Sequence, residues 1–230
     1  MSIEAIKANQ CRRSNMTNAT GLARVGTPED PIRCAILISG SGSGMQAMLN
    51  HQSDANCSHY TALVISNKPD VGGIVRAQEF DIPVEVVEVP AIKDRVLARH
   101  QHEEKIEKLL QQHEVELIIL SGYMRLLSEQ FINNWAGQVV NIHPSLLPDF
   151  PGAHAHRDVI AAGVSKSGCT VHFVDAGMDT GEIIAQCEVD VLEDDTESSL
   201  ANRIKSFEHI LYPLVIDAIV TGDQSSLNFD

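Results

Sequence analysis

From Ile32 onward, short apolar runs alternate with amphipathic stretches, and the first run ends in a cluster of glycines. IRCAILIS (32–39) is apolar on both faces, as a strand buried in a parallel sheet must be. Gly40-Ser41-Gly42-Ser43-Gly44 follows directly, and MQAMLNHQ then reads as a helix. TALVIS (61–66), VEVVEV (84–89), ELIILSG (116–122) and QVVNIH (138–143) are the next strands. Helices are expected from about Val71 to Phe80 and over roughly 93–113, the latter with Leu97, Ile106, Leu109 and Leu110 as its apolar stripe. After a Pro- and Gly-rich loop, a short helix near 157–162 leads to CTVHFV (169–174) and EIIAQCEVDV (182–191). These two alternate in the period of exposed antiparallel strands and read as a hairpin. A last helix, about Thr196 to Thr221, carries Phe207, Ile210, Leu211, Leu214, Val215, Ala218 and Ile219 on one face. The pattern predicts an α/β fold: a Rossmann-like, mostly parallel sheet with helices on both faces and an antiparallel C-terminal hairpin. Ligands in such sheets bind outside the carboxyl ends of the strands.

Residues 1–31 lack this periodicity and are expected to be a flexible N-terminal tail, with 32–230 forming one domain. No apolar segment of secretory type opens the chain, and no run reaches the ~18 apolar residues of a membrane span. The net charge of −14 repels phosphate backbones, so neither nucleic acid nor membrane is expected as a partner. The expected state is a monomer or homodimer. Cys11, Cys34, Cys57, Cys169 and Cys187 form neither a disulfide framework nor a zinc pattern, which implies a reducing, cytoplasmic compartment.

Four segments could carry chemistry. The glycine cluster after strand one either cradles a small phosphate at a helix N-terminus or is only a tight turn. It does not fit a dinucleotide fingerprint, whose last Gly would fall at Met45, and no Lys-Ser/Thr follows to make a P-loop. Asn141 and His143 lie two apart at a strand end, so they share a face. A His can move a proton near neutral pH and an Asn amide can hold an oxyanion; the same pair could also merely cap the strand. Asp179-Thr180-Gly181 is either turn chemistry or the carboxylate that orients His143. His154 and His156 belong to a loop that closes over a substrate or is simply exposed, and no third ligand at a suggestive spacing makes them a metal site.

Taken together, ILISGSGSGMQAML, VISNKPDVGGIVRAQEFDIP, LSGYMRLLS, VVNIHPSLLPDFPGAHAHRDVI, GCTVHFVDAGMDTGEII and EHILYPLVI resemble the folate-dependent formyltransferase family. Within it, PGAHAH points to the glycinamide ribonucleotide formyltransferases. The resemblance covers roughly Ile32 to Gly222. It implies the formyltransferase fold and transfer of a formyl group from 10-formyltetrahydrofolate, a co-substrate, to the amine of 5-phosphoribosylglycinamide in purine (IMP) biosynthesis, with no metal. It implies Asn141, His143 and Asp179 as catalytic residues, and Gly42, Ser43, Gly44, Met45 and Glu208 as ribonucleotide contacts. Arg99, Met124, Arg125, Leu126, Leu127 and Asn141 are implied on the folate, and His154 and His156 on the substrate loop. The family usually has Asn where this chain has Gly44.

Four rival readings share parts of this pattern. A formyltetrahydrofolate hydrolase would carry an N-terminal regulatory domain, for which a 31-residue tail is expected to be too short. A methionyl-tRNA formyltransferase would need a C-terminal domain and a basic surface, against the net charge of −14. The broken glycine fingerprint argues against a nucleotide-dependent oxidoreductase. Intact Asn141, His143 and Asp179 argue against an inactive binding relative.

Overall fold

A computed structural model describes residues 11–14 and 20–227. The chain divides into two compact units: Thr20–Val140, and Asn141 onward together with the N-terminal residues.

In the first unit the strands are β2 (Ile32–Ile38), β3 (His59–Ser66), β4 (Val84–Val86) and β5 (Leu117–Leu120). They run in the order β5-β2-β3-β4, all parallel. Ile36, Leu37, Ile38, Leu117 and Ile118 are wholly buried, which explains why these strands read as continuous apolar runs. The connecting helices are α1 (Ser43–Gln52), α2 (Gly72–Gln78), α3 (Arg95–Gln112) and α4 (Glu129–Asn134). Helix α3 departs from expectation. Its buried face is Ala98, His102, Glu103, Ile106 and Leu110, while Leu97 is 47% exposed. Two polar residues can sit on that face because each finds a buried partner. His102 Nε2 meets the Tyr123 hydroxyl at 2.7 Å, and the Glu103 carboxylate accepts from Ser128 N at 2.7 Å and Ser128 Oγ at 2.5 Å.

The second unit holds β1 (Cys11–Arg13), α5 (Ala155–Ala162), β7 (Lys166–Phe173), β8 (Ile183–Asp190) and α6 (Glu197–Thr221). Strand β6 (Val139–His143) contributes its last three residues here. The order is β1-β8-β7-β6, and both β1/β8 and β7/β8 are antiparallel. The mostly parallel sheet with an antiparallel C-terminal part is therefore what the chain forms. The hairpin is not exposed, however: β7 is buried from Ser167 to Phe173, so its alternation did not mark a wet face. Its strands are also joined by a long loop, 174–182, in place of a tight turn.

Two further expectations are corrected. Cys11 pairs with Cys187 in register and is joined to it by a disulfide, so the five cysteines are not all thiols. Spacing could not show this, because the two lie 176 residues apart. The expected flexible tail, 1–31, is structured where it is described. Residues 11–13 form β1, and Arg24 bonds Glu116 through Nε at 2.6 Å and NH2 at 2.8 Å. Residues 1–10 and 15–19 of that tail lie outside the described part. Among the described residues no helix is long and apolar enough to cross a membrane.

Glu116 also accepts from the Arg33 backbone N–H at 3.0 Å. Burial pushes its carboxyl up, but the bonds from Arg24 and Arg33 outweigh this and hold it below its ordinary value. Glu116→Ala should cost about 1–2 kcal/mol at pH 7, the range for charged hydrogen bonds reduced for partial exposure. Because the folded carboxyl is the stronger acid, this stability is present above the unfolded value near 4.5 and is lost as pH falls through the folded value. Urea unfolding of both proteins at pH 7 and pH 3 checks it: the gap should be smaller at pH 3.

Candidate active site

Strand β6 sets the first two side chains. Asn141 and His143 point to the same face, and each meets a residue of β7 or of the loop that follows it. Asn141 Nδ2 lies 3.1 Å from His172 Nε2, and His143 Nδ1 lies 3.4 Å from Asp179 Oδ2. Asn141, His143 and Asp179, expected together, are together.

His172 was not singled out in the sequence. It sits in β7, and its Nδ1 lies 2.8 Å from the Phe173 carbonyl oxygen, which only accepts. The ring's proton is therefore on Nδ1, and Nε2 offers a lone pair to the Asn141 amide. Burial lowers its pKa, against the Phe173 carbonyl and Asp179, which favour the charged ring. A neutral His172 thus fixes the orientation of Asn141, leaving the second amide hydrogen for another acceptor. The only available signal was a polar residue inside the apolar run TVHFV.

His143 is 5% exposed. Its Nε2 donates to the Phe150 carbonyl at 2.9 Å. The ring so stands between a carbonyl and a carboxylate. Phe150 is held by Ser145, whose buried hydroxyl donates to the Asp149 and Phe150 carbonyls at 2.5 and 3.2 Å. Asp179 is pinned too: its Oδ2 accepts from Gly152 N at 2.8 Å. Asp179 has φ 57°, a left-handed conformation that Asp tolerates better than most residues but at some cost. The Gly of this Asp-x-Gly is required by space. A Cβ on Gly181 would lie 1.8 Å from the Phe173 oxygen.

His154 is exposed at the N-cap of α5. His156 is half-buried with its Nδ1 unpartnered; burial lowers its pKa, Glu197 opposes this, and Lys205 and His143 add to it. Glu208, on α6, has its carboxyl pushed up to about 7 by burial, partly offset by Lys205.

The remaining candidates belong to the first unit. Gly42 is the N-cap of α1, with φ 70°, and no side chain caps the helix. A Cβ there would lie 2.7 Å from Gly73 Cα, so glycine is needed for both conformation and contact. The first-turn amides of Ser43, Gly44 and Met45 have no acceptor within the helix itself. The Met45 side chain is wholly buried, so that residue can offer only its backbone. A Cβ on Gly44 would meet Ser121 Oγ at 2.9 Å: the Ser121 hydroxyl takes the space where an Asn side chain would start. Arg76, which the sequence reading missed, clasps this loop from α2 by donating to the Ser41 carbonyl at 3.0 Å and bonding Gln46.

The 124–127 segment is tied to the same strand end, since Met124 N donates to Ser39 Oγ at 2.8 Å. Met124 is 63% and Leu126 57% exposed, Arg125 is exposed, and Leu127 is buried. Arg99 is half-buried on α3, three and four residues before His102 and Glu103, which anchor that helix to 123–128.

The formyl transferase family model matches residues 32–216. Trifunctional purine biosynthetic protein adenosine-3 of Drosophila melanogaster is 44% identical over 192 residues, 83% of this chain and 14% of that protein. Phosphoribosylglycinamide formyltransferase of Bacillus subtilis (strain 168) is 40% identical over 186 residues, 81% of this chain and 93% of that protein. The chain thus spans only a small part of the trifunctional relatives but most of the bacterial one. The crystal structure of glycinamide ribonucleotide transformylase 1 from Symbiobacterium toebii is similar with a TM-score of 0.79 and 39% identity, covering 84% of this chain and 89% of that one.

The tautomer deduced for His172 is testable. Nitrogen-15 NMR of the imidazoles at pH 7 should show a neutral His172 ring protonated on Nδ1. A ring protonated on Nε2, or on both nitrogens, would contradict the way Asn141 is oriented.

Proposed function

Because the chain belongs to the formyl transferase family, we propose that it moves the formyl group of 10-formyltetrahydrofolate onto the amine of 5-phosphoribosylglycinamide. The observation that carries this reading is the Asn141–His172 and His143–Asp179 arrangement. It supplies an oriented amide donor and an imidazole held by a carboxylate, the two things acyl transfer to an amine needs.

The neutral amine attacks the formyl carbon, a C–N bond forms, and the carbonyl electron pair becomes an oxyanion. The second Asn141 Nδ2 hydrogen and the His143 Nε2–H stabilise that charge. The Nε2–H is the proton the site can redirect, since Nδ1 faces Asp179 and the Phe150 carbonyl is a neutral, replaceable acceptor. Collapse breaks the bond to the folate nitrogen, which takes up a proton as the former amine loses one. His143 carries that proton, and Asp179 stabilises the imidazolium it passes through.

In the same reading, the amides of Gly42, Ser43, Gly44 and Met45 hold the ribonucleotide phosphate, with Arg76 adding positive charge beside them. The missing Asn side chain at Gly44 is tolerated because backbone donors do the work. Met124, Arg125, Leu126 and Leu127, with Arg99 and Asn141, contact the folate; the exposed Met124 and Leu126 give it an apolar surface. Glu208, whose carboxyl burial pushes up, contacts the ribonucleotide, and His154 and His156 lie on the loop that meets it. No step is assigned to a metal. The family model covers parts of both compact units, which supports reading 32–230 as one catalytic domain.

His143→Ala and Asp179→Asn should each lower kcat at least ~100-fold while circular dichroism and the urea midpoint stay near those of the parent. Near-parental turnover by a folded His143→Ala or Asp179→Asn protein would remove that residue from the mechanism.

A further inference from the structure

At the end of α1 opposite the glycine loop, three metal-ligating side chains meet that the proposed reaction does not use. His51 lies in the last turn of α1, Cys57 in the connection that follows, and His59 opens β3. One ligand atom from each lies within 4.8 Å of the others. The two imidazole rings are stacked, 6.0 Å between centroids and 22° between planes. His59 is buried, while His51 and Cys57 are half-buried, so solvent reaches the group.

The backbone around the cluster is fixed. Cys57 N donates to the Asp54 carbonyl at 3.0 Å, and the Asp54 carboxylate accepts from Asn56 N at 2.9 Å. The His59 ring is set by Gln52, whose Nε2 lies 2.8 Å from His59 Nδ1. The Gln52 Oε1 accepts from Thr61 N at 3.1 Å and Thr61 Oγ1 at 2.7 Å. With Nδ1 on the Gln52 amide, ligation of an ion by His59 would go through Nε2.

Two imidazoles and a thiolate make a borderline-soft donor set, poorly suited to Mg²⁺ or Ca²⁺ and well suited to Zn²⁺. Tetrahedral ligation with Zn–N near 2.0 Å and Zn–S near 2.3 Å sets donor atoms roughly 3.3–3.6 Å apart. Closing from 4.8 Å takes about 1 Å of movement, which the two half-exposed side chains can supply. We propose that His51, Cys57 and His59 bind one divalent cation of the zinc class, which clips the C-terminal end of α1 to the start of β3. Ligation through Nε2 moves the His59 proton to Nδ1, so the Gln52 amide must turn to accept it.

Titration of the purified full chain with Co²⁺ tests this. One equivalent should give a near-ultraviolet thiolate-to-metal charge-transfer band that Zn²⁺ abolishes by displacement. Cys57→Ser should remove the band, and both Cys57→Ser and His51→Ala should weaken Zn²⁺ binding at least ~10-fold, read against a chromophoric chelator. Gln52→Glu should tighten it ~10-fold, because a carboxylate accepts the His59 Nδ1–H and still serves both Thr61 donors. Absence of the band, or unchanged affinity in both ligand variants, would overturn the proposal. Neither readout depends on formyl transfer.

Discussion

The Asp179 carboxylate organises the site, because it joins segments distant in sequence at one point. It faces His143 Nδ1 at 3.4 Å and takes the Gly152 backbone N–H at 2.8 Å. Its other oxygen lies 3.8 Å from His172 Nε2. That third approach is not an ion pair: His172 is neutral, and its Nε2 lone pair already receives the Asn141 amide. One carboxylate thus holds His143 and a loop amide, while the uncharged His172 sets the amide donor. The left-handed backbone at Asp179 is the conformational cost, and Gly181 makes the turn possible by passing close to the Phe173 carbonyl.

Much of this was legible because it is periodic or local. Continuous apolar runs gave the parallel strands, since both faces of β2 and β5 are covered. Two-residue spacing put Asn141 and His143 on one face. The glycines after β2 marked a helix start that has φ 70° and no side-chain cap. What stayed hidden depends on contacts distant in sequence. Alternation in TVHFV suggested an exposed strand, yet Ser167–Phe173 is buried and His172 is polar there because the Phe173 carbonyl and Asn141 satisfy it. On α3 an apolar stripe was expected, and the buried face instead admits His102 and Glu103, whose partners lie 21 and 25 residues on.

The cysteines show the same limit twice. Cys11 and Cys187 are brought together only by the pairing of β1 with β8. Cys57 forms no zinc pattern by spacing with the other cysteines, whereas His51 and His59 are among its neighbours in space. Arg76 escaped notice for a related reason. Its reach to the glycine loop follows from the close packing of Gly42 on Gly73, which no local pattern announces.

Under the proposed function, a formyl group held by Asn141, His143 and Asp179 passes from folate to an amine. The most direct measurement follows the carbon itself: 10-formyltetrahydrofolate labelled with carbon-13 in the formyl group, mixed with the enzyme and 5-phosphoribosylglycinamide, observed by NMR. The label should appear as a formamide on the ribonucleotide, with tetrahydrofolate formed in equal amount and little conversion when the amine is omitted. Label released as formate at the same rate with or without the amine would contradict it.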